Sequence, residues 1–107
     1  MSTEARAFLV AGLAEVRMRP WIQHATLREA DGGVCAMGAL FRAQVTARRM
    51  GHAFTGDSLL SAHDRLEAAA RRITGDDAVT VPAYNDTHAQ NKADIIRLFQ
   101  TAITDCR

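Results

Sequence analysis

The stretch Val34-Cys35-Ala36-Met37-Gly38-Ala39-Leu40-Phe41, entered through the turn signal Asp31-Gly32-Gly33, does most to limit what this chain can become. As a helix it puts Val34, Met37, Leu40, Phe41 and Val45 on one side, at steps of three and four. A narrower stripe of Cys35, Gly38, Ala39 and Arg42 lies beside that face. Small side chains let another backbone approach closely. The helix, read over 34–49, is therefore expected at the centre of a bundle, and aspartate at Met37 or Phe41 is expected to unfold it.

Three other segments carry a helical period. Residues 3–18 begin at Ser2 or Thr3 as cap, bury Ala5, Leu9, Leu13 and Val16 with Phe8 and Gly12 beside them, and stop before Pro20. Residues 58–73 follow Asp57 as N-cap, repeat Leu59, Leu66 and Ile73 at sevens with Ala62, Ala69 and Ala70, and end at Gly75. The last helix, Lys92 to Thr104, opens on Asn91 and Asp94 at capping-box spacing and buries Ile95, Leu98, Phe99, Ala102 and Ile103. Two stretches lack that period. Trp21–Gly33 reads as extended or irregular, with Trp21 as a core anchor. Val79–Tyr84 reads as a short extended segment that Pro82 confines to a sheet edge, and Asn85-Asp86-Thr87 then turns the chain. Pairing of Val79–Tyr84 with Trp21–Arg28 would make a two-stranded ribbon.

At 107 residues the chain is one domain, 1–107, able to bury a core without metal or disulfide support. The net charge of +1 offers no global field for nucleic acid, but its distribution is uneven. Residues 42–72 set six arginines against three carboxylates, whereas 73–107 set three cations against five aspartates. Arg42, Arg48, Arg49, Arg71 and Arg72 are thus a candidate basic surface for a partner, weighed against ordinary solvated helix faces. No secretory signal is read at the start and no apolar run is long enough to span a membrane. A cytoplasmic protein with reduced thiols at Cys35 and Cys106 is expected.

Candidate chemistry is thin. Cys35 near a helix start, with His24, His52, His63 or His88 and with Asp86 to orient the ring, makes a nucleophilic site writable, though no spacing demands it. Buried cysteine is the commoner condition, so Cys35 is expected not to be catalytic. Cys35, His24 and His88 could converge on a metal, yet no metal-ligand spacing is present, and no metal or cofactor is expected. Met18, Met37 and Met50 read as core or surface filler. Asn85 and Asp86 read either as turn-forming residues or as polar groups facing the Cys35 stripe. Trp21, Gln23, Cys35, Asn85 and Asp86 are expected in one neighbourhood, as a structural cluster or a ligand site.

Trp21-Ile22-Gln23, Cys35-Ala36-Met37-Gly38-Ala39-Leu40 and Tyr84-Asn85-Asp86 together resemble the pattern of an uncharacterised family of small proteins from phages and bacterial genomes. The resemblance covers roughly residues 20–103. The family often has tryptophan where this chain has Tyr84, and glycine where it has His24. The resemblance carries no assigned activity. It implies that Trp21, Gln23, Cys35, Gly38, Asn85 and Asp86 belong together, and a mobile-element origin.

The expected fold is mostly α, a single-domain bundle of four main helices with room for a small two-stranded β-ribbon. The expected function is that of a small cytoplasmic binding protein of phage or mobile-element type, acting through protein–protein interaction on a host or phage protein. Inhibition of a bacterial defence complex, in the manner of anti-CRISPR proteins, is one concrete version. The alternative is a small-ligand-binding protein or cysteine-dependent enzyme using Cys35 with Asn85 and Asp86. Direct nucleic-acid binding through the arginines ranks last, and no membrane association is expected.

Overall fold

Long helices form where apolar residues recur at three and four, and the computed structural model describes residues 3–105. The elements in order are α1 (Thr3–Met18), β1 (Leu27–Arg28), β2 (Gly33–Val34), α2 (Ala36–Arg49), α3 (Gly56–Thr74), α4 (Val81–Ala83) and α5 (Lys92–Asp105). Residues Tyr84–His88 continue α4 as a π-helical turn. The fold is thus a mostly helical single domain with a small antiparallel hairpin.

Helix α1 buries the face its sequence announced, Ala5, Phe8, Leu9, Leu13 and Val16. Gly12 lies on that face because a Cβ there would stand 2.8 Å from Phe99 Cε2 and 3.0 Å from Leu40 Cδ2. Helix α5 buries Ile95, Leu98, Phe99 and Ala102, with Ile103 half-buried. Its cap has the expected spacing: Asn91 Oδ1 accepts from Asp94 N at 3.1 Å, and the Asp94 carboxylate reaches back to Gln90 N at 2.8 Å. Gly75 closes α3 in the left-handed region, φ 74°. The cap at the other end of α3 is Thr55, not Asp57. Thr55 has extended backbone and its hydroxyl accepts from Ser58 N at 3.1 Å, which leaves Asp57 inside the first turn.

Helix α2 departs from expectation in three ways. It begins at Ala36, because Val34 belongs to β2 and Cys35 is the N-cap. Its buried face is Ala36, Gly38, Ala39, Leu40 and Ala43, while Phe41 is 42% exposed and Met37 and Val45 are only partly covered. It is also not the hub. Helix α1 packs on α2, α3 and α5, whereas α2 lies mainly against α1, β2 and α4. One reason serves for all three: close packing on α1 and the hairpin selects the small residues for the inside and turns the bulky ones to the rim.

From Val81 to Tyr84 the segment is helical, not extended; Thr80, its cap, keeps extended backbone. Thr80 Oγ1 caps Ala83 N at 3.2 Å and Tyr84 N reaches Thr80 O at 2.9 Å. Pro82 sits in the first helical turn, where amide hydrogens have no intrahelical acceptor, so its missing donor costs nothing. The ribbon forms elsewhere. Leu27 pairs with Val34 and Arg28 with Gly33, around the Asp31-Gly32-Gly33 turn. There Asp31 Oδ1 accepts from Gly33 N at 2.9 Å and Gly32 takes φ 73°. No helix among the described residues is long and apolar enough to cross a membrane.

Candidate functional site

The arm from Pro20 to Val34 leaves α1, runs to the hairpin and returns. Val34 N donates to Pro20 O (2.9 Å) and Ile22 N to Val34 O (3.0 Å), which fixes the base of the arm. Its flank is held by one residue from far along the chain. Asn85, 1% exposed, accepts at Oδ1 from Trp21 Nε1 (2.9 Å) and Ala36 N (3.0 Å). Its Nδ2 donates to Ile22 O (3.0 Å) and Asp86 Oδ1 (2.9 Å). That is the full capacity of an amide side chain. Gln23 answers from the arm, its Nε2 shared among the carbonyls of Asn85, Asp86 and Ala89 at 3.2–3.3 Å. Those carbonyls lie at the π-helical turn, closed by Ala89 N to Tyr84 O at 2.8 Å.

Asp86 carries the arm one residue further. Its Oδ1 accepts from His24 N at 2.9 Å, and its Oδ2 lies 3.8 Å from His24 Nδ1. The His24 hydrogen bond is the main reason the Asp86 carboxyl sits below its ordinary range. Desolvation opposes it, and the Asn85 amide and the His24 charge reinforce it. His24, where the resembled pattern has glycine, takes φ 63°, the left-handed region that glycine enters freely. Cys35 closes the cluster as a cap. Its Sγ accepts from Gly38 N at 3.3 Å, its N donates to Thr26 O at 3.1 Å, and the residue is 8% exposed. A Cβ on Gly38 would fall on the Thr26 carbonyl oxygen, so the small-residue stripe does admit a second backbone, that of the arm.

Trp21, Gln23, Cys35, Asn85 and Asp86 therefore lie in one neighbourhood, beside a cavity of about 370 Å³. Of the histidines, His24 lines that cavity. His52 lies at a different groove, His63 pairs with Asp64 and Glu67 on α3, and His88 stacks on Tyr84 with centroids 6.0 Å apart. Cys106 lies outside the described residues. Among the described residues no three His, Cys, Asp or Glu side chains are placed to share a metal ion.

The five arginines do not form one surface. Arg71 pairs with Glu67 at 2.8 Å and Arg72 with Asp105 at 2.6 Å, in the last turn of α3. Arg48 and Arg49 end α2, near Gln44, whose side chain holds Phe54 just before α3 starts. The stretch of α3 from Gly56 to Arg71, about 22 Å of helix, lies between the two pairs. Arg42 stands apart, its Nε buried without a hydrogen-bond partner among the described residues. Spacing along a sequence cannot say which ends of two helices meet, and that decided the matter.

A second feature had no place among the sequence expectations. An apolar groove of about 440 Å³ runs between α1 and α2, lined by Ala11, Ala14, Met18, Ala43, Ala47 and Met50, with Phe54 at one end. Met18 and Met50 are 73% and 67% exposed, more than any other large apolar side chain described. Phe54 is locked by Gln44, which accepts from its N (2.9 Å) and donates to its O (2.7 Å), and by stacking on Phe8 at 4.3 Å. Glu15, 4% exposed, is held in the wall by Arg19 (3.2 Å) and Thr46 (3.1 Å). The available signal was a methionine beside arginine at two helix ends, Arg17-Met18-Arg19 and Arg48-Arg49-Met50.

The fold defines a class: a small four-helix domain whose first two long helices are joined by an arm and hairpin latched through one asparagine. By sequence the chain belongs to a family of unknown function, DUF6197, whose model matches residues 1–105. No curated protein and no solved structure matches it.

Proposed function

We propose that this chain is a small binding protein that acts through protein–protein interaction and takes its partner in the α1/α2 groove. The observation that carries the reading is the placing of Met18 and Met50. The two most exposed large apolar side chains described line the same groove, one from each helix. Exposed apolar surface gathered in a concavity marks an interaction site, and methionine adapts its shape to what it meets. The polar cluster supports the same reading from the other side. Asn85 and Cys35 are engaged by backbone groups of the chain itself, which suits a latch better than a catalytic pair. The mobile-element version, in which the partner is a host or phage protein such as part of a defence complex, draws on the motif resemblance alone.

The test compares the wild type with Met18→Ser/Met50→Ser in pull-downs from bacterial lysate. Both side chains are exposed, so the double variant is expected to keep its melting temperature and lose a stoichiometric partner that the wild type retains. Equal retention by both proteins, or no stoichiometric partner for the wild type, counts against the groove.

A further inference from the structure

Resting on that reading of the groove, we infer that the segment it takes is an amphipathic α-helix with acidic residues flanking its apolar row. The shape of the groove selects a helix. Its walls contribute positions 11, 14 and 18 from α1 and 43, 47 and 50 from α2, each row covering seven residue steps or about 10 Å. A partner helix covers that length with side chains at i, i+3, i+4 and i+7. An extended segment would bring unpaired amide and carbonyl groups into an apolar site. The walls are helices, their backbone groups already bonded within themselves, so no sheet edge is offered.

Charge selects the sign. Arg19, Arg28, Arg71 and Arg72 are each paired with a carboxylate of the chain. Arg17, Arg48 and Arg49 are exposed and make no ion pair among the described residues, and they adjoin the two groove methionines in sequence. Helix α2 carries three arginines and no acidic residue. The one carboxylate in the lining, Glu15, is buried and held by Arg19. Each wall helix therefore carries exposed, unpaired arginine next in sequence to its groove methionine, beside an apolar lining. The same charge argues against a second copy of the chain, since two such grooves brought face to face would repel.

The experiment uses the full chain with ¹³C-labelled methionine methyl groups. Met18 and Met50 report on the groove, and Met37, beside the polar cluster, serves as the internal control. Three synthetic peptides of about 15 residues are titrated. One carries an apolar i, i+3, i+4, i+7 row flanked by glutamate, one the same row flanked by lysine, and one the glutamate sequence interrupted by proline. The glutamate helix is expected to shift Met18 and Met50 but not Met37, to bind about tenfold more tightly than the lysine helix, and to weaken as salt is raised. Arg48→Glu/Arg49→Glu is expected to remove that preference. Equal shifts with both helices leave the groove standing and overturn the acidic partner. Equal binding of the proline peptide overturns the helix. No shift of Met18 or Met50 with any peptide overturns the groove itself. Shifts on concentrating the chain alone assign the groove to a second copy and overturn the inference.

Discussion

At Asn85 a single side chain joins three parts of the molecule: the arm at Trp21 and Ile22, the first amide of α2 at Ala36, and the next residue, Asp86. Asn85→Ala leaves an indole N–H, an amide N–H and a carbonyl short of partners, each worth about 1–3 kcal/mol when buried. We expect a loss of several kcal/mol in urea unfolding. An unchanged midpoint would mean that the arm is held by packing alone. Gly38 makes a second, sterically different point. Gly38→Ala drives a Cβ into the Thr26 carbonyl, which also accepts from Cys35 N, so the atom that must yield is backbone. The expected cost is at the upper end of the roughly 1–3 kcal/mol of ordinary overpacking. Gly56→Ala is the control, since a Cβ there meets nothing within 4 Å, and it should be neutral or stabilising by about 0.5–1 kcal/mol.

Among the elements, the arm and the π-helical turn depend on each other, and their link is ionisable. Asp86 is depressed first by the His24 backbone hydrogen bond, and also by the Asn85 amide and the His24 charge, against desolvation. A carboxyl lowered in the folded state contributes stability above its unfolded value, near ~4, and loses it as pH falls through the folded value. Unfolding free energy should therefore decline as pH is taken from about 5 to about 3. Asp86→Asn should flatten part of that decline. Asp31, lowered mainly by its Arg28 hydrogen bond within the hairpin, should keep the remainder. Denaturant melts of both proteins across that range check the slope, and identical slopes would sever Asp86 from the acid response.

Across the whole molecule the helices form a slab whose Cα atoms extend 38 × 36 × 18 Å, with α1 touching each of the other long helices. Phe8 and Phe99 lie in its middle, completely buried, while Phe41 lies at the rim. Phe99→Ala is expected to cost about 3–5 kcal/mol. Phe41→Asp, which the helical period alone would condemn, is expected to stay folded and to lose less than about 1 kcal/mol. Far-ultraviolet circular dichroism with thermal melts tests the pair, and unfolding by Phe41→Asp would restore α2 as the hub. A thin slab also leaves helix faces with a neighbour on one side only, and the α1/α2 groove is where two such faces meet.

Periodicity by itself determined the four long helices, and for α1 and α5 it also determined the buried face, because an apolar stripe on a well-capped helix has one way to leave water. The turn at Asp31-Gly32-Gly33 and the stop at Gly75 were equally legible, being local backbone chemistry. Tertiary structure alone decided which face of α2 turns inward, since small and large residues were both available and only a close neighbour chooses the small. It decided that Thr80 and Pro82 start a helical turn and not a strand, a choice between two conformations that proline tolerates equally. The gathering of Trp21, Gln23, Cys35, Asn85 and Asp86 was expected from their types and from the resemblance. The bonds among them span more than sixty residues, and such closure is settled only when the whole chain has packed. The groove was legible in neither way: it belongs to no single segment, and exists because α1 and α2 lie side by side and each turns a methionine, Met18 and Met50, to the same seam.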